Sequence, residues 1–403
     1  MKILFLSRWY PFPQDNGSKI RVFNLIKYLA AKHSVDLLSF SAAHVEKMRI
    51  EEMKKYCNRV ETVVFKEITQ GVLKSLQNLL SPTPLFLHKT HSMEMQRLVE
   101  RTVKEQEYDL VIASQMSMVP YAMEIPVRRR VFEEIELTVF YEKYWLETQK
   151  LKRGRNWLTW VKATRYIAST LESFDGGTVV SEIERQRVKQ IYRGGSPVCI
   201  IPNGVGFPDG KTDFGLPIPD TLVFSGSLTY DANMDAISYF MGEIFPLVKA
   251  ARPEVKLLVT GKLDGVQVDD LPNKDWISFT GYLEDVRPAV ATSWASIVPL
   301  RKGGGTRLKI LEALSLGVPV ITTSKGVEGL DLFPEKDIFI ADQPETFANT
   351  ILKVLENPGL RERSGQAGQQ KVRQKYDWNV IGPQFCNFIE GVVEEGGKNW
   401  PVS

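Results

Sequence analysis

From Pro299 to Thr323 the chain reads PLRKGGGTRLKILEALSLGVPVITT, a stretch with three consecutive glycines, four cations and a single carboxylate. These residue types suit the holding of a phosphorylated ligand. Gly303, Gly304 and Gly305 let backbone N–H groups come close to an anion, and Thr306 is a natural cap for a helix predicted to begin at Arg307. The free amides and macrodipole of such a helix start favour negative charge. Arg301, Lys302, Arg307 and Lys309 add full positive charges. Glu312, three residues after Lys309 on the same helix face, can accept sugar hydroxyls while the cation meets phosphate oxygens. The local pattern alone leaves a second reading open: a glycine turn with a solvated Lys309–Glu312 pair worth ~0.3 kcal/mol.

The elements that must position these groups alternate along the whole chain. KILFLS, the helical spacing of Val22, Leu25, Ile26 and Leu29, and VDLLSF make a βαβ opening. VETVVF, YDLVIA, RRVFEE, GGTVVS and PVCIIP continue the series, which implies a largely parallel sheet covered by helices on both faces. This first domain is predicted to span residues 1–202. The stretch NGVGFPDGKTDFGLPIPD, Asn203 to Asp220, is rich in glycine and proline and reads as a linker. A second α/β series follows over 203–379, with strands TLVFSGS, VKLLVTG, ISFTGY, ASIVPL, VPVITT and DIFIAD and helices at Asp235–Lys249 and Pro344–Glu356. The prediction is α/β, two Rossmann-like doubly wound domains. In such sheets ligands bind beyond the carboxyl ends of the strands, where Gly226, Gly261, Gly281 and the Gly303–Gly305 loop all fall. The tail, with Tyr376, Trp378, Ile381, Phe385, Phe388 and Ile389, is an amphipathic helix over 380–403 expected to pack back on the first domain.

Composition excludes several classes. Over 403 residues, 43% are hydrophobic and 25% charged, as in a soluble globular protein of two or three domains. No apolar run approaches the roughly 18 residues that span a bilayer. Arg8 interrupts the apolar opening, which reads as a buried strand rather than a leader. Cys57, Cys199 and Cys386 are too scattered for a disulfide framework and point to a reducing, cytoplasmic compartment. No metal site is expected, since His88 and His91 have no cysteine nearby. Through Ile200 there are 31 Lys and Arg against 22 Asp and Glu, a net +9; the remainder has 20 against 26, a net −6. Lys143, Lys150, Lys152, Arg153, Arg155, Lys162 and Arg165 are interleaved with Trp145, Trp157 and Trp160. Residues 143–165 are thus a candidate contact with an anionic membrane at its inner face, or an ordinary solvated helix. No nucleic-acid-binding module accompanies the patch.

In their order, PFPQDNGSKIR, CIIPNGV, LVFSGSLTYDANMDAISYF, FTGYLEDV, GGGTRLKILEALSLGVPVITT and the terminal YDW resemble the GT-B nucleotide-sugar glycosyltransferases, specifically the retaining family 4 group that builds bacterial surface glycans. The resemblance covers nearly the whole chain. It implies two domains facing across a cleft, a nucleotide-sugar donor held mostly by the C-terminal domain, an acceptor on the N-terminal domain, and no metal cofactor. Glu312 matches the second glutamate of the family's E-x7-E element, which implies hydrogen bonds from the nucleotide ribose. Gly304 stands where the first glutamate would contact the donor sugar. Ser227 and Ala232 stand where the family has an arginine and a lysine for the pyrophosphate, so Arg307 and Lys309 are expected to carry that charge.

Carried over in the same way, Asn16, Gly17 and Ser18 match the loop that approaches the donor phosphate, with Arg21 behind it. Glu133 or Glu134, in RRVFEEIE with Glu136, stands where the family often has a histidine or aspartate near the acceptor and reacting sugar. Gly281 and Tyr282 match the segment edging the nucleobase, Gly226 and Ser227 the loop after the first strand of the second domain, and Asn203 with Gly204 the hinge side. Gly305 and Thr306 complete the donor set. The expected activity is transfer of a hexose from a UDP- or GDP-sugar to a glycan or lipid-linked acceptor in cell-surface polysaccharide biosynthesis. Two rivals stay open: a nucleotide-sugar epimerase or hydrolase, separable by product analysis with donor alone, and a non-catalytic sugar-nucleotide-binding partner of a glycan assembly complex, which would bind without turnover.

Overall fold

The computed structural model describes residues 1–66, 81–208 and 212–395. Residues 209–211 of the expected linker and 396–403 of the expected tail helix lie outside the described residues. The chain divides into two compact units, one formed by Met1–Asn203 with the chain from Ile381 onward, the other by Gly204–Val380.

Unit 1 is built on seven strands: β1 (Lys2–Ser7), β2 (Ser34–Ser41), β3 (Arg59–Val64), β4 (Leu110–Ser114), β5 (Arg129–Glu133), β6 (Gly176–Val179) and β7 (Val198–Ile200). Their order is β3-β2-β1-β4-β5-β6-β7 and all pairings are parallel. KILFLS is apolar on both faces because both are covered: Ile3, Leu4, Phe5 and Leu6 are fully buried. The strand order reverses beside β1, between β1 and β4, and Ser7 pairs with both Ser39 and Ser114 there. That reversal leaves a crevice at the carboxyl ends of β1 and β4. The helix Gly17–Ala30 follows β1, and the Asn16 side chain caps it by accepting from the Lys19 N–H at 3.1 Å.

The returning helix, Trp378–Glu395, seals this unit from outside. Phe385, Phe388 and Ile389 are buried, Gln384 donates to the Ile200 carbonyl at 3.1 Å, and Glu390 pairs with Lys32 at 3.2 Å. Gly382 lies flat on Tyr28, where an added Cβ would stand 2.1 Å from Cγ of the ring.

Unit 2 has six parallel strands, β8 (Ile218–Ser225), β9 (Lys256–Thr260), β10 (Ile277–Gly281), β11 (Ser293–Val298), β12 (Val320–Thr322) and β13 (Phe339–Ile340), in the order β10-β9-β8-β11-β12-β13. β8 begins at Ile218, so the expected linker is shorter at its far end than Asp220. Phe224, Phe240, Phe245, Phe339 and Phe347 fill the core between sheet and helices. None of the described helices is long and apolar enough to cross a membrane.

Candidate active site

The functional groups of unit 2 gather at the carboxyl ends of β8 and β11. Gly226 follows β8 with φ +135, a conformation that side chains resist. A Cβ there would lie 2.8 Å from Lys309 Nζ and 3.0 Å from the Asn233 amide nitrogen, so the glycine makes room for that pair. Lys309 Nζ donates to Asn233 Oδ1 at 2.8 Å, and Asn233 in turn donates to the Ser227 carbonyl at 2.7 Å. The ammonium sits 3.9 Å above the Phe224 ring. Burial pulls the Lys309 amine down to about 7, a fall that Glu312 opposes and Arg307 adds to. Glu312, one turn further along the helix Leu308–Ser315, has its carboxyl raised by burial, with Lys309 pulling the other way. A diphosphate beside Lys309 would restore the amine's charge, and the nearby carboxyl is suited to diol hydroxyls.

The other cations do not stand where the sequence places them. Arg301 forms a forked pair with Asp235 (Nη2–Oδ1 3.0 Å) and Lys302 meets Asp231 at 2.8 Å. Asp231 and Asp235 lie one turn apart on the helix Asp231–Tyr239, and they neutralise both cations. Arg307 is buried, and its guanidinium donates to the carbonyl oxygens of Gly303, Gly304 and Gly305. It shapes the glycine loop from within rather than presenting its charge. For the same reason Thr306 is not the helix cap: Arg307 occupies that place with φ −83 and ψ 77, and the Leu308 N–H bonds the Thr306 carbonyl at 3.0 Å. Ala232 stands close under the loop, with its Cβ 3.1 Å from where one on Gly303 would be. Ser227 Oγ shares a 2.7 Å hydrogen bond with Thr229. Gly281 takes φ +68 at the end of β10, and the following Tyr282 ring is exposed beneath Lys262 Nζ at 5.2 Å.

Unit 1 holds a second constellation at the carboxyl ends of β4, β5 and β6. Glu133 is sealed: one oxygen accepts from Arg21 Nε at 2.6 Å, the other from Ser114 Oγ at 2.6 Å, and both charged side chains are fully buried. Arg21 also donates to the Ile201 and Pro202 carbonyls and to Asn203 Oδ1, at 2.8, 3.1 and 3.2 Å. The pair therefore locks the helix after Asn16, strand β5 and the end of the unit together, and Glu133 offers no oxygen to an acceptor. Glu134 is the less buried of the two carboxyls. It has φ +59, and Gln115 opposite has φ +71. Both are strained conformations for residues with side chains, of the kind that collects at functional sites. The Gln115 amide donates to Glu134 Oε2 at 2.7 Å, and Thr178 Oγ1 accepts the Glu134 N–H at 3.0 Å. Burial, aided by Glu133 and opposed by Arg21, lifts the Glu134 carboxyl to about 8. Glu136 is lifted to about 7 by burial and then by Glu184.

Family models match both units: "Glycosyltransferase Family 4" over residues 15–206 and "Glycosyl transferases group 1" over 219–357. This chain is a family 4 GT-B glycosyltransferase. The glycosyltransferase is 29% identical over 246 residues to a phosphatidyl-myo-inositol mannosyltransferase of Mycobacterium tuberculosis, an alignment covering 56% of the chain and 62% of that relative. Its fold matches sucrose-phosphate synthase from Thermosynechococcus elongatus (TM-score 0.67, 16% identity, 97% and 99% of the two chains). It also matches Anabaena HepE in complex with UDP and glucose (TM-score 0.63, 16% identity, 97% and 99%). Among the glycosyltransferase's described residues, no group of three or more His, Cys, Asp and Glu side chains could hold a metal ion.

Sequence reasoning missed Asn233 in unit 2 and Gln115 and Thr178 in unit 1. Asn233 sits inside the quoted DANMDA, but nothing in its spacing says that it grips Lys309. Gln115 follows a strand end, the one available signal.

Proposed function

We propose that this glycosyltransferase moves a hexose from a UDP- or GDP-sugar to a glycan or lipid-linked acceptor of a cell-surface polysaccharide, with retention and without a metal cofactor. The observation that carries the reading is the Lys309–Asn233–Gly226 arrangement at the end of β8 with Glu312 one turn on. The UDP and glucose held by HepE, and the mannosyl transfer named for the mycobacterial relative, support the donor class. In the reaction the bond from the sugar anomeric carbon to the phosphate oxygen breaks and one to the acceptor oxygen forms. The diphosphate gains charge as it leaves, and Lys309 in its ammonium form meets that charge. The acceptor proton passes to the departing phosphate oxygen. With its carboxyl raised to about 8, Glu134 is mostly protonated at neutral pH and serves as a hydrogen-bonding guide for the acceptor rather than as the base.

Glu312→Ala and Lys309→Ala are each expected to reduce donor binding or turnover at least tenfold; near-normal transfer by both variants would sink the assignment. A thermal-shift screen against nucleotide sugars identifies the donor, since a ligand of the native state raises its stability.

We place the enzyme on the cytoplasmic face of the membrane. The helices Thr138–Trp145 and Lys150–Ser173 expose Trp145, Leu146, Leu151 and Trp157, with Leu151 92% accessible, among the exposed Lys143, Lys150, Lys152, Arg153 and Arg155. Trp160 turns inward against Tyr141 at 5.5 Å and leaves the patch. Co-sedimentation with vesicles containing phosphatidylglycerol, lost in a Leu151→Glu, Trp157→Glu double variant, is the expected result; equal pelleting of the variant would refute it.

A further inference from the structure

Arg8 directly follows β1 at the same rim, and three aromatic rings surround its guanidinium. The carbon centre lies 3.6 Å from the Phe65 centroid, 4.7 Å from Trp9 and 5.8 Å from Phe40. These rings come from the carboxyl ends of the neighbouring strands β2 and β3 and from the turn after β1. The turn is fixed by Ser7, whose Oγ donates to the Trp9 carbonyl at 2.8 Å and accepts its N–H at 3.1 Å. Phe40 meets Phe65 edge to face at 5.4 Å and leans on Tyr121, which stacks on His91 at 5.3 Å, so the wall is itself rigid. Arg8 makes no hydrogen bond or ion pair with any carboxylate among the described residues, and burial weakens its hold on its proton. Three aromatic neighbours remove water from a cation without supplying an anion, which is an expensive arrangement for packing alone. An arginine fork held this way is matched to an oxyanion.

We propose that Arg8, within the Trp9, Phe40 and Phe65 rings, is a subsite for an acidic group of the acceptor, a phosphate or a sugar carboxylate. The proposal builds on the transferase reading only in calling the ligand an acceptor. The rings beside the guanidinium supply apolar faces for the sugar or lipid carbon next to that group.

The experiment titrates wild type, Arg8→Lys and Arg8→Met with methyl phosphate, methyl glucuronide and neutral methyl glucoside, followed by calorimetry and ligand-observed NMR. Wild type is expected to bind at least one acidic probe in preference to the glucoside. Arg8→Met should lose that binding at least tenfold, with Arg8→Lys between, because the lysine keeps the charge but not the fork. The acidic probe that binds decides between phosphate and carboxylate. Equal binding of the acidic probes by wild type and Arg8→Met, or no acidic preference in wild type, overturns the subsite. Unfolding temperatures of the variants show whether a lost signal reflects lost folding, in which case Arg8→Lys alone is scored. Donor binding by Glu312→Ala and Lys309→Ala is a separate measurement, so the donor-site reading and this subsite can fail independently.

Discussion

Lys309 makes the binding of donor depend on pH in a way that follows from its surroundings. With the amine near 7 in the free enzyme, the protonated fraction falls from about three quarters at pH 6.5 to about 3% at pH 8.5. A diphosphate favours the ammonium form, so the apparent dissociation constant scales inversely with that fraction and rises about 25-fold over the interval, close to ~2 kcal/mol. Each donor bound at pH 7.5 should carry about three quarters of a proton into the site. Lys309→Met keeps the aliphatic stem over Phe224 and loses the charge; its affinity should be weak and level from pH 6.5 to 8.5. Calorimetry with the donor identified by the thermal screen, repeated in buffers of different ionisation enthalpy, reads affinity and proton uptake together. A nucleotide sugar has no group of its own titrating in this interval. A wild-type affinity that stays flat, or uptake near zero, would refute a neutral resting Lys309.

Glu134 should tolerate Gln, a neutral hydrogen-bonding isostere of its protonated form, and not Ala; turnover of Glu134→Gln is expected within about fivefold of wild type and that of Glu134→Ala down at least 100-fold. Equal losses in the two variants would exclude a guiding role. Its raised carboxyl means the folded state holds a proton that the unfolded chain releases near its ordinary range, so this group's contribution to stability is present at low pH and lost as pH rises toward about 8; urea midpoints at pH 5 and pH 8 should differ less in Glu134→Gln than in wild type. Arg21→Met strands Glu133 in a buried site and should cost about 3–5 kcal/mol in urea unfolding, while Arg21→Met with Glu133→Leu recovers part of it. A double variant no more stable than the single would show that the pair is not the source. Gly382→Ala forces a methyl into the Tyr28 ring and should lower the unfolding temperature by several degrees; an unchanged melting curve would mean the helix is not docked there.

The central strands were legible because they are buried on two faces and must be almost wholly apolar there, as KILFLS and LVFS are. Glycine turns marked the ligand rim of each sheet. Which cation faces the ligand was not legible. Arg301 and Lys302 look as available as Lys309 in sequence, and only the packing of Asp231 and Asp235 beside them shows that they are neutralised. The two adjacent glutamates, Glu133 and Glu134, were indistinguishable for a related reason: successive residues at a strand end point to opposite sides, and which side is closed depends on Arg21, 112 residues away. The left-handed backbone at Gln115 and Glu134 gave no sign either, since neither is glycine.

The return of the chain at Ile381 has a consequence for biosynthesis. Unit 2 is one uninterrupted stretch and can fold as soon as it has left the ribosome, although it is made second. Unit 1 is made first but lacks its outer wall until the helix Trp378–Glu395 emerges, because Phe388 and Val392 pack where β6 runs past at Gly176. Its sheet must wait, with that apolar flank open, through the synthesis of nearly two hundred further residues. A stop shortly after Val380 would thus harm the half of the protein that was synthesised first.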